Sequence, residues 1–339
     1  MNVLITGGAG FIGSHTYVNL KENGYLPIIL DNFANSDKKV IQNLEKITNH
    51  SVVYYEGDAN DLNLLQQIFT KHQIQGVIHF AADKAVGESV QNPLKYYENN
   101  LMSTIQLLKV MLQHGVKNIV FSSSCTVYGE PDSLPVTETS PVKPAVSPYG
   151  NTKQICEEIL SDTVRAGEKL HAIALRYFNP IGAHESGLIG ELPLGVPANL
   201  IPFLTQSVAG LRGPLAVYGT DYPTPDGTAI RDYIHVCDLA AAHVKALEFA
   251  NMQSDDSFYD VFNIGTGKGS SVMEVILAFE KANSIQVKYE IKPRRAGDIT
   301  AVYADTSKSE QILQWKAQKS LEEALKDAWT WQQNLPSNK

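Results

Sequence analysis

Apolar residues arrive in short blocks through the first half of the chain. Val3-Leu4-Ile5, Pro27-Ile28-Ile29-Leu30, Val52-Val53-Tyr54-Tyr55, Gly76-Val77-Ile78-His79-Phe80, Asn118-Ile119-Val120-Phe121 and Ala172-Ile173-Ala174-Leu175 each read as a buried strand. Helical patterns separate them. One runs from about Ile12 to Asn23. Another, before the fifth strand, repeats Leu101, Ile105, Leu108 and Leu112, and a third, after Tyr149, carries Ile155, Ile159 and Leu160 on one side. Unbroken apolar strands alternating with helices predict an α/β fold with a doubly wound parallel sheet.

The pattern changes after Arg176. Residues 179–228 are rich in Gly and Pro, with irregular stretches at 191–197 and 222–227 of the kind that form binding loops. Regularity returns with a helix over Val236–Ala250, a strand over Val261–Ile264 and a helix over Ser271–Ala282. The expected organisation is a Rossmann domain over 1–178, to which segments near 230–264 return, and a smaller α/β substrate domain over 179–335.

Bulk composition narrows the partners. The chain has 339 residues, 43% hydrophobic and 19% charged, with a net charge of -8 and no basic block, which excludes a nucleic-acid surface. Cys125, Cys156 and Cys237 are too few and too scattered for a disulfide framework or a metal cluster, and they suit a reducing cytoplasm. No secretory leader is expected, since a strand opens at residue 2 and Gly7 interrupts the apolar run. No apolar run reaches the roughly 18 residues of a membrane span.

Two segments carry chemistry. Gly7, Gly10 and Gly13 sit three apart where the first strand gives way to a helix. The first permits a tight turn, the second lets a pyrophosphate approach the backbone, and the third lets helix pack on strand, while the helix N-terminus offers N–H groups to phosphate. Asp31 ends the second strand, where a carboxylate accepts from ribose hydroxyls and repels a 2'-phosphate, so the expected cofactor is NAD. Asp58 reads equally as an adenine contact or as a helix N-cap within 57–61. Tyr149 and Lys153 stand i and i+4 on a helix. A free phenol is only about 0.1% ionised at pH 7. One cation ~4 Å away at an effective dielectric of ~20 is worth ~4 kcal/mol, about three pKa units. Lys153 and the nicotinamide charge together would therefore bring the pKa of the Tyr149 phenol toward neutral pH, where a general base works best. Ser122–Thr126 follows the fifth strand at the carboxyl edge, where hydroxyls can hold the reacting alcohol.

With these residues in place the chain resembles the extended short-chain dehydrogenases and, within them, the UDP-glucose 4-epimerases. The match runs through Thr6–Gly13, Asp31–Ser36, His79–Ser89, Ser122–Gly129, Pro148–Lys153, Leu175–Pro180, Asp226–His235 and Arg294–Asp298. The resemblance implies reversible oxidation of a UDP-sugar at C4 by bound NAD, with Tyr149 as acid and base, Lys153 tuning it and Ser124 holding the 4-oxygen. It implies an NAD site of Gly7, Gly10, Phe11, Ile12, Gly13, Asp31, Asn32, Phe33, Ala34, Asn35, Ser36, Asp58, Ala59, Phe80, Ala81, Ala82, Asp83, Lys84, Asn99, Ser124, Tyr149, Lys153 and Phe178. It implies a UDP-sugar site of Lys84, Ser124, Tyr149, Tyr177, Asn179, Asn199, Leu200, Ala216, Val217, Tyr218, Arg231, Arg295, Asp298 and Val302. A homodimer through the helices that begin near Asn99 and Tyr149 is also implied. A 4,6-dehydratase on the same fold is the nearest rival, but it needs a carboxylic acid after the fifth strand, where this chain has Ser124-Cys125-Thr126. A 4-epimerase of another UDP-sugar is a further rival. An NAD-sensing regulator is disfavoured by the joint presence of Ser124, Tyr149 and Lys153. In the family a Tyr at the position of Val302 narrows the sugar pocket, so Val302 implies room for UDP-GlcNAc and UDP-GalNAc.

Overall fold

The structure is a computed structural model that describes residues 1–295 and 298–336, so Ala296 and Gly297 of the Arg294–Asp298 motif lie outside the described residues. Seven strands form the main sheet: β1 (Asn2–Thr6), β2 (Leu26–Asp31), β3 (Val53–Glu56), β4 (Gly76–His79), β5 (Asn118–Ser124), β6 (His171–Tyr177) and, late in the chain, β10 (Phe258–Ile264). Every pairing is parallel, in the order β10-β6-β5-β4-β1-β2-β3. The order reverses between β1 and β4, and the crevice at such a switch point is where open parallel sheets bind ligands.

Helices cover both faces. α1 (Phe11–Glu22), α2 (Lys39–Thr48) and α8 (Val236–Asn251) bury one side around Val3, Ile5, Ile29, Val120 and Leu247. α3 (Leu62–His72), α5 (Pro93–Gln113) and α6 (Pro148–Arg165) bury the other around Leu4, Leu30, Phe69, Met111 and Leu160. The short α4 (Val86–Gln91) packs beside α5 and α6. A second sheet joins β7 (Asn179–Ile181), β9 (Ile230–His235), β11 (Gly269–Ser271) and β13 (Ala301–Val302), while β8 (Leu215–Tyr218) pairs with β12 (Tyr289–Lys292). α7 (Leu200–Val208), α9 (Val272–Asn283) and α11 (Leu321–Asn334) enclose a third apolar cluster around Leu204, Val217 and Phe279, and α10 (Ser307–Ile312) packs on β10.

Three expectations change. β5 runs on through Ser124, so Ser122–Ser124 are the strand's last residues rather than a turn beyond it. β3 holds the outer edge, leaving Val53 and Tyr54 44% and 45% exposed, so it is not a buried strand. On α5 the fully buried stripe is Thr104, Leu107, Leu108 and Met111; Leu101, Ile105 and Leu112 are only half-buried on the flank. The four-three-four spacing found the helix but missed its core face, because polar Thr104 faces the buried His79 ring. Among the described residues no helix is long and apolar enough to cross a membrane, and no group of metal-binding side chains assembles.

Candidate active site

The glycine turn is built by exclusion of side chains. Gly7 has φ +70°, the left-handed region, and a Cβ there would lie 2.9 Å from the Ala81 amide in the segment that follows β4. A Cβ on Gly13 would overlap the Gly7 carbonyl and the Gly8 backbone, so this glycine lets α1 enter directly behind β1. Beside Gly10 such an atom would meet only the Gly7 carbonyl. Gly10 is also the N-cap of α1, with no side-chain cap, so the first-turn N–H groups of Phe11, Ile12 and Gly13 face outward with the positive end of the helix dipole. Donors without acceptors above an open glycine fit a pyrophosphate.

Asp31 ties the cradle to the end of β2. Its carboxylate accepts from the Ala9 amide at 2.9 Å, the Phe33 amide at 2.8 Å and the Ser36 hydroxyl at 3.0 Å. A carboxylate has about four acceptor directions, so three protein donors leave room for a ribose hydroxyl. Asn32 turns back to receive the Ala34 amide at 3.0 Å and donates to Asp58 at 3.3 Å, while Phe33 adopts φ +55° and Asn35 stays exposed. Asp58 is not the N-cap of α3. Asp61 fills that role, accepting from the Asn63 and Leu64 amides, whereas Asp58 accepts from Asn60. Ala59 is buried in the core, so its side chain supports the loop and only its backbone is left to meet a ligand.

The segment after β4 closes the other side of the crevice. Phe80 packs at a tilt against the buried His243 ring, with centroids 4.6 Å apart. Ala81 packs over Gly7, and Asp83 is clamped at both its N–H and its C=O by the Asn100 amide on α5. Ala82 is half-buried between them. Asn99 receives the Asn60 amide at 3.0 Å, which joins the loops after β3 and β4 through α5. Phe178, 4% exposed, is the last wall, its amide bonded to the Ile264 carbonyl.

α6 begins with a Ser147 N-cap that accepts from the Gly150 amide at 3.1 Å, followed by Pro148 at the first helical position. That entry places Tyr149 in the first turn and Lys153 one turn on, both facing the end of β5. The Lys153 ammonium donates to the Ser122 carbonyl at 2.7 Å and lies 4.9 Å from the Phe121 ring centroid and 5.9 Å from that of Tyr149. Burial brings the amine down to about 8. Tyr149 is 8% exposed, and burial pushes its phenol well above the usual tyrosine range; Tyr177 adds to the rise and the Ser124 hydroxyl opposes it. The expected lowering by Lys153 is therefore absent from the chain itself: desolvation outweighs an ammonium that is already committed to a backbone carbonyl. Tyr177 pairs its hydroxyl with Ser122 Oγ at 2.5 Å.

The second half brings its residues together on irregular backbone. Arg231 on β9 and Arg295 both point to Asp298, at 3.9 Å and 3.0 Å, and Arg295 stacks on Tyr218 with 4.8 Å to the ring centroid. Val217 faces the third core, so of Ala216–Tyr218 only Ala216 and Tyr218 present side chains away from it. Asn179 opens β7 opposite Tyr233. Asn199 leads into Leu200 at the start of α7 and donates to Glu191 at 2.8 Å; Lys84 reaches the same carboxylate at 3.6 Å. Val302, 4% exposed, packs in a small cluster with Val127, Tyr128 and Phe178, against which Cys125 also leans. The neighbouring Tyr303 ring lies against Gly269 instead.

Of the supporting residues, Asp226 and Asp232 fall within the matched Asp226–His235 segment, whereas Glu157 falls in none. Glu157, one turn past Lys153, accepts the Ser123 hydroxyl and a bidentate Arg176 from β6, with the shortest N–O distance 2.6 Å. Asp232 is fully buried and accepts from the Thr266, Gly267 and Ala304 amides and the Thr266 hydroxyl, which locks β9 to two neighbouring loops. Asp226 likewise holds Thr228 and Ser271. A four-residue offset from Lys153 was the one available signal for Glu157.

Residues 4–328 match the family described as GDP-mannose 4,6 dehydratase. The chain is 48% identical over 336 residues to the UDP-glucose 4-epimerase of Neisseria meningitidis serogroup A, covering 99% of this chain and 98% of that one. Its fold is similar, with a TM-score of 0.95 and 47% identity over 98% of both chains, to the UDP-glucose 4-epimerase of Stenotrophomonas maltophila with bound NAD and formylated UDP-arabinopyranose. It is also similar, at a TM-score of 0.93 and 49% identity over 98% of both chains, to that of Bifidobacterium longum in complex with NAD+ and UDP. The end of β5 and the turn after it, Ser122 to Tyr128, carry hydroxyls and a thiol but no acid. The chain belongs to the UDP-glucose 4-epimerases, a branch of the extended short-chain dehydrogenases.

Proposed function

We propose that this chain interconverts UDP-glucose and UDP-galactose by reversible oxidation at C4 of the sugar, with NAD held throughout. The observation that supports the reading is the gathering of Tyr149, Lys153 and Ser124 at the end of β5, in the sheet whose first strand leads into the glycine cradle, together with Arg231 and Arg295 converging on Asp298. When bound, NAD supplies a hydride acceptor and a positive charge beside the phenol. Burial keeps the phenol protonated in the chain alone; in the loaded site it first releases that proton to solvent, and the resulting phenolate takes the 4-hydroxyl proton and returns it at the end of the cycle. Ser124 orients the 4-oxygen, and Lys153, bonded to Ser122, keeps its cation beside the phenol. Arg231 and Arg295 hold the diphosphate by charge-assisted hydrogen bonds, and Tyr218, Asn179, Asn199, Leu200 and Ala216 frame the rest of the nucleotide.

The division proposed is 1–178, rejoined by α8 and β10, for NAD, and 179–335 for the UDP-sugar. A cytoplasmic homodimer through α5 and α6 suits their mutual packing, the half-buried Ile105 and Ile159, and three free cysteines. Purified protein that interconverts the two UDP-sugars with no NAD added supports the reading; protein that reacts only with added NAD, or releases a dehydrated sugar, contradicts it.

Val302 favours a second substrate pair. It shares its cluster with Phe178 and with Cys125, the residue after Ser124, and a valine is smaller than a tyrosine at that place. UDP-GlcNAc is therefore expected to be epimerised, and Val302→Tyr to abolish that activity while keeping UDP-glucose turnover. No detectable UDP-GlcNAc reaction at high enzyme concentration overturns this second reading.

A further inference from the structure

We infer that Glu191 is a positioning residue that couples the two halves of the site by preparing Lys84 and Asn199 for the UDP-sugar diphosphate. This rests on the functional reading above. Glu191 lies in the long irregular segment before α7. It is fixed from below: its carbonyl accepts the Trp331 indole N–H of α11 at 3.0 Å, and the preceding Gly190 lies so close to that indole that a Cβ there would sit 2.5 Å from the ring. The carboxylate is 12% exposed and has two partners. Asn199 donates to Oε1 at 2.8 Å from the UDP-sugar half. Lys84 approaches the same oxygen to 3.6 Å from the loop after β4, which belongs to the NAD half.

The arrangement has a physical cost that structure alone does not require. A carboxylate near the place where a diphosphate must dock repels it. The compensation is order. Lysine carries a large rotamer entropy, and Lys84 remains 59% exposed, so without a partner it would have to be immobilised on binding. Glu191 holds that side chain and the Asn199 amide across the cleft before ligand arrives. The two halves are thereby linked through one oxygen atom on a backbone pinned to α11.

The test uses the full-length protein with UDP as probe in calorimetry, alongside steady-state turnover of UDP-glucose. Glu191→Ala is expected to raise the UDP dissociation constant and KM at least about fivefold, with kcat falling by less. Glu191→Gln keeps an acceptor for Asn199 and loses the charge facing Lys84, so it recovers part of the loss. Because both act through one contact, Lys84→Met is expected to add little in the Glu191→Ala background. UDP binding that is unchanged or tighter in Glu191→Ala, or fully additive losses in the double variant, overturns the inference. Wild-type protein that neither binds UDP nor epimerises overturns the functional reading instead.

Discussion

The two halves of this molecule make their sites from different materials. Around β1, α1 and β2 the site is backbone: amides at a helix N-terminus, glycines whose Cβ atoms have no space, and one carboxylate at a strand end. Around β9, Arg295 and α7 it is side chains held by other side chains, such as Arg231 and Arg295 on Asp298, or Asn199 and Lys84 on Glu191. Backbone sites tolerate no change of shape, whereas side-chain sites tolerate change of identity at graded cost. The proposed catalytic residues Tyr149, Lys153 and Ser124 are borne on a helix and a strand.

The largest effect is expected where the halves meet. Tyr149→Phe removes the proton acceptor and is expected to lower kcat by at least about 100-fold with bound NAD retained. Near-normal turnover would remove Tyr149 from its role. Next comes the backbone side of the comparison. Gly13→Ala places a methyl group against the Gly7 carbonyl, and overpacking of this kind costs about 1–3 kcal/mol, so co-purified NAD and Tm should both fall. Arg295→Ala, on the side-chain side, is expected to raise KM by about 10- to 100-fold, the range of a charge-assisted hydrogen bond to an anion, with little change in bound NAD. If the glycine variant proved mild and the arginine variant lost its NAD, the contrast between the halves would fail.

A pH dependence is also expected from three buried rings, one in the main sheet and two on helices packed against it. His15 and His79 are buried and depressed to about 3, and His243 to about 4, because burial disfavours their charged forms. A base whose folded pKa is lowered stabilises the fold above its unfolded value of about 6.5 and loses that contribution as pH falls toward the folded value. From pH 6.5 down to 5 the loss for each such ring steepens from about half of the full one-proton value to that value, about 1.4 kcal/mol per pH unit, seen as a falling Tm. Replacing His79 with Asn should flatten that slope; an unchanged slope would assign the acid sensitivity elsewhere.

The same contrast governs what was legible in the chain. Unbroken apolar runs and glycines at fixed spacing report local backbone demands, so the parallel sheet, the cradle, Asp31 and the Tyr149–Lys153 pair were readable from pattern and chemistry. The edge exposure of β3 was not, because burial depends on which strand lies outermost and not on the strand itself. Neither was the fully buried stripe of α5, where Thr104 faces His79. The residues of the second half entered through resemblance, since lone arginines in loops carry no local signal. Glu157 and Glu191 escaped, and the role of Asp232 within its matched segment stayed hidden, because their partners lie far away in sequence, at Arg176, Lys84 and Thr266 among others. The level of the Tyr149 pKa also escaped: its cation is adjacent in sequence, but burial, a tertiary property, dominates it.

The most direct measurement follows the hydrogen at C4. UDP-glucose deuterated at C4 is incubated in ordinary water with purified protein and no added NAD. The account predicts UDP-galactose that keeps its deuterium at C4, because the hydrogen that leaves as hydride returns to the same carbon. Loss of the label to water, or no reaction until NAD is added, would contradict a reversible oxidation within one closed site.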